Sequence, residues 1–84
     1  MMDATTLTTK KLRFRNVRSE LLLTQEQLAD VAKISLKVVW NAEHQVAIRA
    51  TSAYAILKIF NGLRRDLDLP VLDIDDLDWK ISGD

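Results

Sequence analysis

The chain has 84 residues, of which 48% are hydrophobic and 29% charged, a balance typical of one small globular domain rather than of a disordered chain. The absence of cysteine excludes disulfides and thiolate metal sites, and the longest apolar runs are too short to span a bilayer. Residues 1–9 contain no apolar core of a secretory signal, so we expect a cytoplasmic protein.

The net charge of zero conceals two regions of opposite sign. Residues up to Arg65 carry eleven of the twelve lysines and arginines but only five of the twelve acidic residues. From Asp66 onward, one lysine accompanies seven aspartates. A basic region is compatible with contacts to phosphate groups. We therefore predict an N-terminal arm (1–9), a basic helical domain (10–65) and an acidic, partly apolar tail (66–84).

Helices are expected to dominate, because glycine and proline are scarce and no alternating strand pattern is present. The first predicted helix covers residues 9–22, where apolar residues recur every three or four positions. The second helix follows Thr24, which forms a capping-box pattern with Gln27. A break near Lys33 separates it from the next helix.

The third predicted helix spans residues 35–43, with Ser35 as its N-cap and Val39 and Ala42 directed towards the core. A loop over residues 45–50 leads to a fourth helix, for which Thr51 or Ser52 is the predicted cap. Gly62 either ends this helix or lies one turn before its end. Its apolar stripe has helical spacing and consists of Ala53, Ile56, Leu57 and Phe60.

One stretch carries the most information: Leu23-Thr24-Gln25-Glu26-Gln27-Leu28-Ala29-Asp30, followed at fixed distances by Ser35 and Glu43. It resembles the Cro/C1-type (XRE) helix-turn-helix DNA-binding family, and the resemblance covers about residues 12–63. It implies an all-α fold, a compact four- to five-helix bundle of the lambda-repressor-like type. It also implies a transcriptional regulator, a repressor, that binds double-stranded DNA as a homodimer.

Two short helices joined by a tight turn can place the second helix across a major groove about 12 Å wide. By the resemblance, the helix over residues 35–43 docks in that groove, and the candidate base-contacting residues are Leu36, Lys37, Trp40 and Asn41. The candidate phosphate-contacting residues are Gln25, Ser35, His44 and Arg49. The family pattern also implies a structural pair between Arg18 and Glu43.

Simpler interpretations exist for several of these residues. Gln25 could cap its own helix, Arg49 could be a solvated loop charge, and His44 could be an ordinary polar surface residue. The arginines and lysines of the other helices, Arg13, Arg15 and Lys58, could form a solvated face. Lys33, Leu22 and Gln45 stand where the family usually has glycine, which suggests a strained backbone at each of them.

Leu36 and Trp40 are unusual on a surface that hydrogen-bonds to bases. They leave open a second hypothesis, a helix-turn-helix-derived protein-interaction module such as an antitoxin subunit or the adaptor domain of a larger regulator. In that case the partner would cover these residues and the tail. Salt dependence separates the hypotheses, because DNA binding weakens steeply as salt rises.

The tail (66–84) has three possible roles. Its aspartates could bind a metal, although their spacing lacks the glycine and final glutamate of a calcium loop. It could be a solvated extension. We favour a segment that packs on the domain or on a partner protein, with Trp79 as its anchor. No catalytic set can be assembled around the single histidine, so we expect neither enzyme activity nor a cofactor or metal.

Overall fold

The computed structural model describes residues 11–82 and is all-α in this range, as predicted. The four helices are α1 (Phe14–Glu20), α2 (Gln25–Ala32), α3 (Leu36–Glu43) and α4 (Ala50–Asp66), followed by one turn of 3-10 helix (Ile74–Asp76). Extended pairing in the described range is limited to two isolated parallel bridges, which join Leu12 to Leu77 and Ile48 to Ile81.

Helix α1 is shorter than the predicted helix over residues 9–22. Of that range, residues 9 and 10 lie outside the described part of the chain. Leu12 is extended and exchanges backbone hydrogen bonds with the C-terminal residues Asp76 and Asp78, so it cannot join the helix. At the other end the helix stops at Glu20 with Leu21 as its C-cap, and Leu22 follows in a left-handed conformation with a φ of 61°.

The signals predicted around α2 and α3 are confirmed. Thr24 Oγ1 accepts the N–H of Gln27, and the Gln27 side chain accepts the N–H of Thr24, which completes a capping box. Ser35 Oγ accepts the N–H of Val38 at 3.3 Å. Between the helices, Lys33 has a φ of 60°, so a lysine occupies the left-handed position that favours glycine. The turn between α2 and α3 is therefore tight.

The predicted cap of α4 is wrong, because Arg49 is the N-cap residue and makes no capping hydrogen bond through its side chain. The preceding residue explains the earlier start. Ile48 is buried and exchanges backbone hydrogen bonds with Lys80 and Ser82, which fixes the chain just before Ala50. Gly62 does not end the helix, which continues for one further turn to Asp66.

The core lies where three aromatic rings meet. Phe14 of α1 packs against Phe60 of α4 with ring centroids 5.3 Å apart, and against Trp79 with centroids 5.6 Å apart. Tilted pairs at these separations are favourable arrangements of aromatic rings. The apolar stripe predicted for α4 is buried as expected. Leu28, Val39 and Ala42 complete the core from the α2–α3 side.

Residues 67–82, here called the C-terminal segment, pack back on the helices. Leu72, Leu77 and Trp79 are buried, and the indole N–H of Trp79 donates to the Ile74 carbonyl oxygen at 2.8 Å. Trp79 is therefore the anchor that the sequence suggested. The proposed boundaries at residues 9/10 and 65/66 stay predictions, and residues 1–9 lie outside the described range.

Two side chains of α4 hold the start of this segment. Asn61 donates to the Leu72 carbonyl oxygen and accepts the Leu72 N–H, at 2.9 and 2.8 Å. The guanidinium of Arg64, which is buried, donates to the Pro70 carbonyl oxygen and to Glu20 of α1. These bonds satisfy the carbonyl oxygen of Pro70 and both backbone groups of Leu72 where the irregular segment begins to cover the core.

Candidate nucleic-acid interface

The outward face of α3 forms the floor of a shallow groove beside the start of α2. Leu36, Lys37 and Trp40 project from the first turns of α3, and Gln25 is the first residue of α2. These four residues line a groove of about 410 Å³. Leu36 is 44% exposed and Trp40 is 45% exposed, so two large apolar side chains face solvent beside a lysine. We call this surface the α3 groove.

A buried ion pair sets the position of α3 relative to α1. Arg18 donates through Nε to Glu43 Oε2, and through Nη1 to the Leu23 carbonyl oxygen at 2.8 Å. The Glu43 side chain is only 1% exposed, so it cannot reach the solvent-facing side of α3. The pair therefore joins α1 and α3, and Arg18 also holds Leu23, the second residue before α2. These contacts lie on the side of α3 opposite the groove and fix its position.

Asn41 lies differently from the other candidate base-contacting residues. It is half-buried and does not line the α3 groove. Its carbonyl oxygen accepts the Val46 N–H at 2.9 Å and so helps to close the turn after α3. The expected exposure of Asn41 is thus only partly met, because its side chain is half-buried.

His44 is engaged by its own helix. Its ring stacks on Trp40 with centroids 3.8 Å apart and planes inclined by 14°. Nδ1 lies 2.8 Å from the Trp40 carbonyl oxygen, within hydrogen-bond distance. These two contacts hold the imidazole against the indole and leave Nε2 as the nitrogen able to meet an outside group. The stacked pair also restrains Trp40 at the groove.

The remaining phosphate candidates are dispersed over the surface. Ser35 is exposed, but its oxygen already accepts the Val38 N–H. Arg49 is exposed at the start of α4 and does not line the α3 groove. Gln25 lines the α3 groove together with three of the predicted base-contacting residues, and His44 contacts one of them, Trp40.

Sequence reasoning missed a second, polar cleft at the end of α3. It has a volume of about 290 Å³, and its lining includes Arg13, Arg15, His44, Gln45 and Asp78. The sequence predicts that Arg13 and Arg15 lie on one side of a helix, but it does not indicate which residues lie next to them. Only the packing of α1 across the end of α3 places them beside His44, and the signal for that packing was the Arg18–Glu43 pair.

Between residues 11 and 82, no three histidine, aspartate or glutamate side chains are grouped in a way that could hold a metal ion. None of the helices in this range has the length and apolar character needed to cross a membrane.

Comparisons with known proteins return nothing that bears on this surface: no family model, no curated protein and no solved structure matches the chain.

Proposed function

We propose that this protein is a DNA-binding transcriptional regulator that docks α3 in the major groove of duplex DNA. The observation that carries the proposal is the α3 groove itself, in which Leu36, Lys37 and Trp40 lie beside Gln25 at the start of α2. An exposed helix placed after a tight turn, with the amino end of a second helix next to it, has the geometry of major-groove readers.

The side chains suit complementary parts of a duplex. Lys37 can donate to guanine or to a phosphate, and Leu36 can pack on a thymine methyl group. Trp40 offers a flat apolar surface for a deoxyribose. Gln25 lies among the free N–H groups at the start of α2, where an anion is favoured. Base contacts and a phosphate contact would therefore fall on one continuous surface.

The distribution of charge agrees with this proposal. The region up to Arg65 is basic, whereas the aspartates are concentrated after it. A basic part of the chain attracts a duplex electrostatically, and an acidic part repels it. We propose that the protein acts in the cytoplasm as a repressor of the XRE type. Two copies would then occupy half-sites about one helical turn apart.

A second function is favoured by one observation, the exposure of Leu36 and Trp40. Paired apolar side chains of this size are common in protein–protein contacts. A partner protein that covers the α3 groove would make the chain a protein-interaction module, such as an antitoxin subunit or an adaptor domain. The affinity of this partner would depend little on salt concentration, because apolar contacts are not screened by ions.

The test is a titration of labelled duplexes followed by fluorescence anisotropy. Duplexes are first selected from a random pool by repeated rounds of binding, and a scrambled duplex serves as the non-specific probe. We expect tight binding of the selected duplex that weakens about a hundredfold between 50 and 200 mM salt, as for about four neutralised phosphates. Lys37→Ala/Trp40→Ala should reduce its affinity at least about tenfold.

The matched control is Lys80→Ala, which removes an exposed lysine that lines neither the α3 groove nor the polar cleft. It should bind the selected duplex almost as the parent does. The DNA proposal fails if no sequence is enriched, or if the double variant binds the selected duplex as tightly as Lys80→Ala does. Weak DNA binding that depends on neither salt concentration nor DNA sequence would instead favour the protein-interaction module.

A further inference from the structure

The two arginines of the polar cleft are largely free to bind an outside group. Arg13 precedes α1 and Arg15 lies in its first turn, and both are exposed. Between residues 11 and 82 Arg13 takes part in no ion pair, and Arg15 has one contact, 3.6 Å from its Nε to Glu43 Oε1. Glu43 is already bound by Arg18. Most guanidinium donors of the cleft therefore remain available to an acceptor from outside.

The other carboxylate of the cleft belongs to Asp78, and both of its oxygens are occupied. Oδ1 accepts the Phe14 N–H at 3.0 Å, and Oδ2 accepts the Gln45 side-chain amide at 3.2 Å. With Arg18 counted, three guanidiniums stand against two carboxylates at this end of α3. The cleft of about 290 Å³ has room for a phosphate group with several waters, each of which occupies about 30 Å³ in the liquid.

The hydrogen bond of His44 determines what its second ring nitrogen can do. The Trp40 carbonyl oxygen can only accept, so Nδ1 carries the proton of this bond. In a neutral ring Nε2 is then an acceptor, which cannot bond to a phosphate oxygen. Histidine gains a second ring proton between about pH 5 and 8, and Nε2 then becomes a donor. Binding of an anion at Nε2 is therefore coupled to proton uptake by His44.

Four charged residues line the cleft around the His44 ring: Arg13, Arg15, Glu43 and Asp78. The two arginines oppose a further positive charge on the ring, and the two carboxylates favour it. The Trp40 indole, stacked at 3.8 Å, also favours the cation, because the face of an indole attracts positive charge. An anion between the arginines and the imidazole offsets their repulsion, so anion and proton strengthen each other's binding.

We propose that the polar cleft binds a phosphate group through Arg13, Arg15 and protonated His44, and that a duplex seated on α3 supplies this group from its backbone. The second half rests on the DNA proposal. Trp40 lines the α3 groove and His44 lines the cleft, so their stack is the wall between the two. Protonation of His44 thus tightens binding to every duplex, because a phosphate contact carries no sequence information.

The cleft is tested first without DNA, with dimethyl phosphate, which has the diester group of DNA and one negative charge throughout this pH range. Ionic strength is kept constant, and NMR follows the amide signals of Phe14 and Gln45. At about pH 6 we expect saturable shifts with a dissociation constant in the millimolar range, and at least about threefold weaker binding at about pH 8. His44→Gln should bind equally weakly at both pH values.

Matched charge variants locate the site and identify the source of the phosphate. Arg13→Gln/Arg15→Gln should abolish the shifts, whereas Lys58→Gln/Lys80→Gln removes the same charge outside the cleft and should leave them. In the anisotropy titration, the arginine variant should bind the selected and the scrambled duplex about tenfold more weakly than the lysine variant does. Its slope of log affinity against log salt should be smaller by about one, as for one lost phosphate contact.

The phosphate site is overturned if dimethyl phosphate gives no saturable shifts, or if the arginine and lysine variants bind it equally. An affinity of the parent that does not change with pH would overturn the role of His44. If dimethyl phosphate binds in the cleft but the two variants bind both duplexes alike, the phosphate comes from a free phosphate ester and the assignment to the duplex is wrong. Failure of the DNA proposal itself appears separately, as a parent that selects no duplex while the dimethyl phosphate result stands.

Discussion

The α2–α3 pair (25–43) and the C-terminal segment (67–82) are held in place by contacts of very different reach. In the pair, the capping bonds of Thr24 and Ser35 each span three residues. In the segment, Asp78 Oδ1 accepts the Phe14 N–H at 3.0 Å across 64 residues of chain. The helices of the pair are therefore capped by nearby residues, although the Arg18–Glu43 contact that positions α3 spans 25 residues. The segment is joined to α1 by contacts between residues far apart in the sequence.

The difference between local and distant contacts corresponds to two separate roles in this domain, recognition and stabilisation of the core. The α3 groove is built on regular helices with local caps, so its exposed side chains are free to serve recognition. The C-terminal segment has little regular structure, and it contributes buried side chains to the core: Leu72, Leu77 and Trp79. A change in the segment should therefore affect stability first, and a change in the α3 groove should affect binding first.

The largest difference in stability between the two regions should appear when each of the two tryptophans is replaced by alanine. Trp79 is 7% exposed and packs on Phe14, so Trp79→Ala should lower the free energy of unfolding by about 3–5 kcal/mol. That is a large fraction of the stability of a small domain, about 5–15 kcal/mol. Trp40→Ala, on the exposed α3 groove, should cost less than about 1 kcal/mol. Urea denaturation followed by circular dichroism measures both.

Equal losses in these two variants would contradict the division of tasks. A Trp79→Ala protein as stable as the parent would mean that the C-terminal segment does not stabilise the core. The ability of Trp40→Ala to remain folded is also what makes it usable as a binding variant.

The next largest effect tests the ion pair behind the α3 groove. Arg18→Met should destabilise the fold by about 3 kcal/mol, because it leaves the Glu43 carboxylate buried with less compensation. Arg18→Met/Glu43→Leu should recover most of the loss, since no buried charge then remains. The matched control is Arg15→Met. The Arg15 Nε lies 3.6 Å from Glu43 Oε1, but its side chain is 66% exposed, so the cost should stay below about 1 kcal/mol.

Thermal unfolding of these proteins decides between two descriptions of the pair. If the double variant is less stable than Arg18→Met, Glu43 contributes by some contact other than the arginine. If Arg15→Met costs as much as Arg18→Met, the exposed arginine and not the buried one neutralises Glu43.

The smallest expected losses of stability compare a helix cap from a nearby residue with one from a distant residue. Thr24→Ala removes the cap of α2, and Asp78→Ala removes the acceptor for the Phe14 N–H at the start of α1. Each should cost about 1 kcal/mol, the usual contribution of a capping side chain. Hydrogen exchange should show faster opening near α2 for Thr24→Ala, and near α1 and the C-terminal segment for Asp78→Ala.

The outcome that would count against this interpretation is a Thr24→Ala protein whose C-terminal segment also opens faster. The two regions would then unfold together, and the distinction between local and distant contacts would have no dynamic consequence. Gln27→Ala, which removes the other half of the capping box, is a second measurement of the same local cap.

The same distinction explains what the sequence could predict. Thr24, Gln27 and Ser35 act on residues a few positions away, so their patterns identified α2 and α3 directly. The stripe along α4 was equally clear, because helical spacing of apolar residues is a property of one segment. The exact start of α4 was missed, because it is set by hydrogen bonds between Ile48 and residues more than thirty positions away.

The candidate site was predictable to a similar degree. Leu36, Lys37 and Trp40 are adjacent on one helix face, and their exposure follows from the burial of Val39 and Ala42 on the other. No pattern within a single segment predicts how the helices pack against each other. The polar cleft that joins Arg13 and Arg15 to His44 has no signature in a single stretch of sequence.

The placement of the two tryptophans has an optical consequence. Trp79 lies in the apolar core against Phe14, whereas Trp40 lies half-exposed with its ring stacked on His44. A shielded indole emits at shorter wavelength than a hydrated one, so the two residues contribute separable parts of the emission spectrum. The unlabelled protein thus contains one chromophore that reports on its folded state and another that reports on occupation of α3.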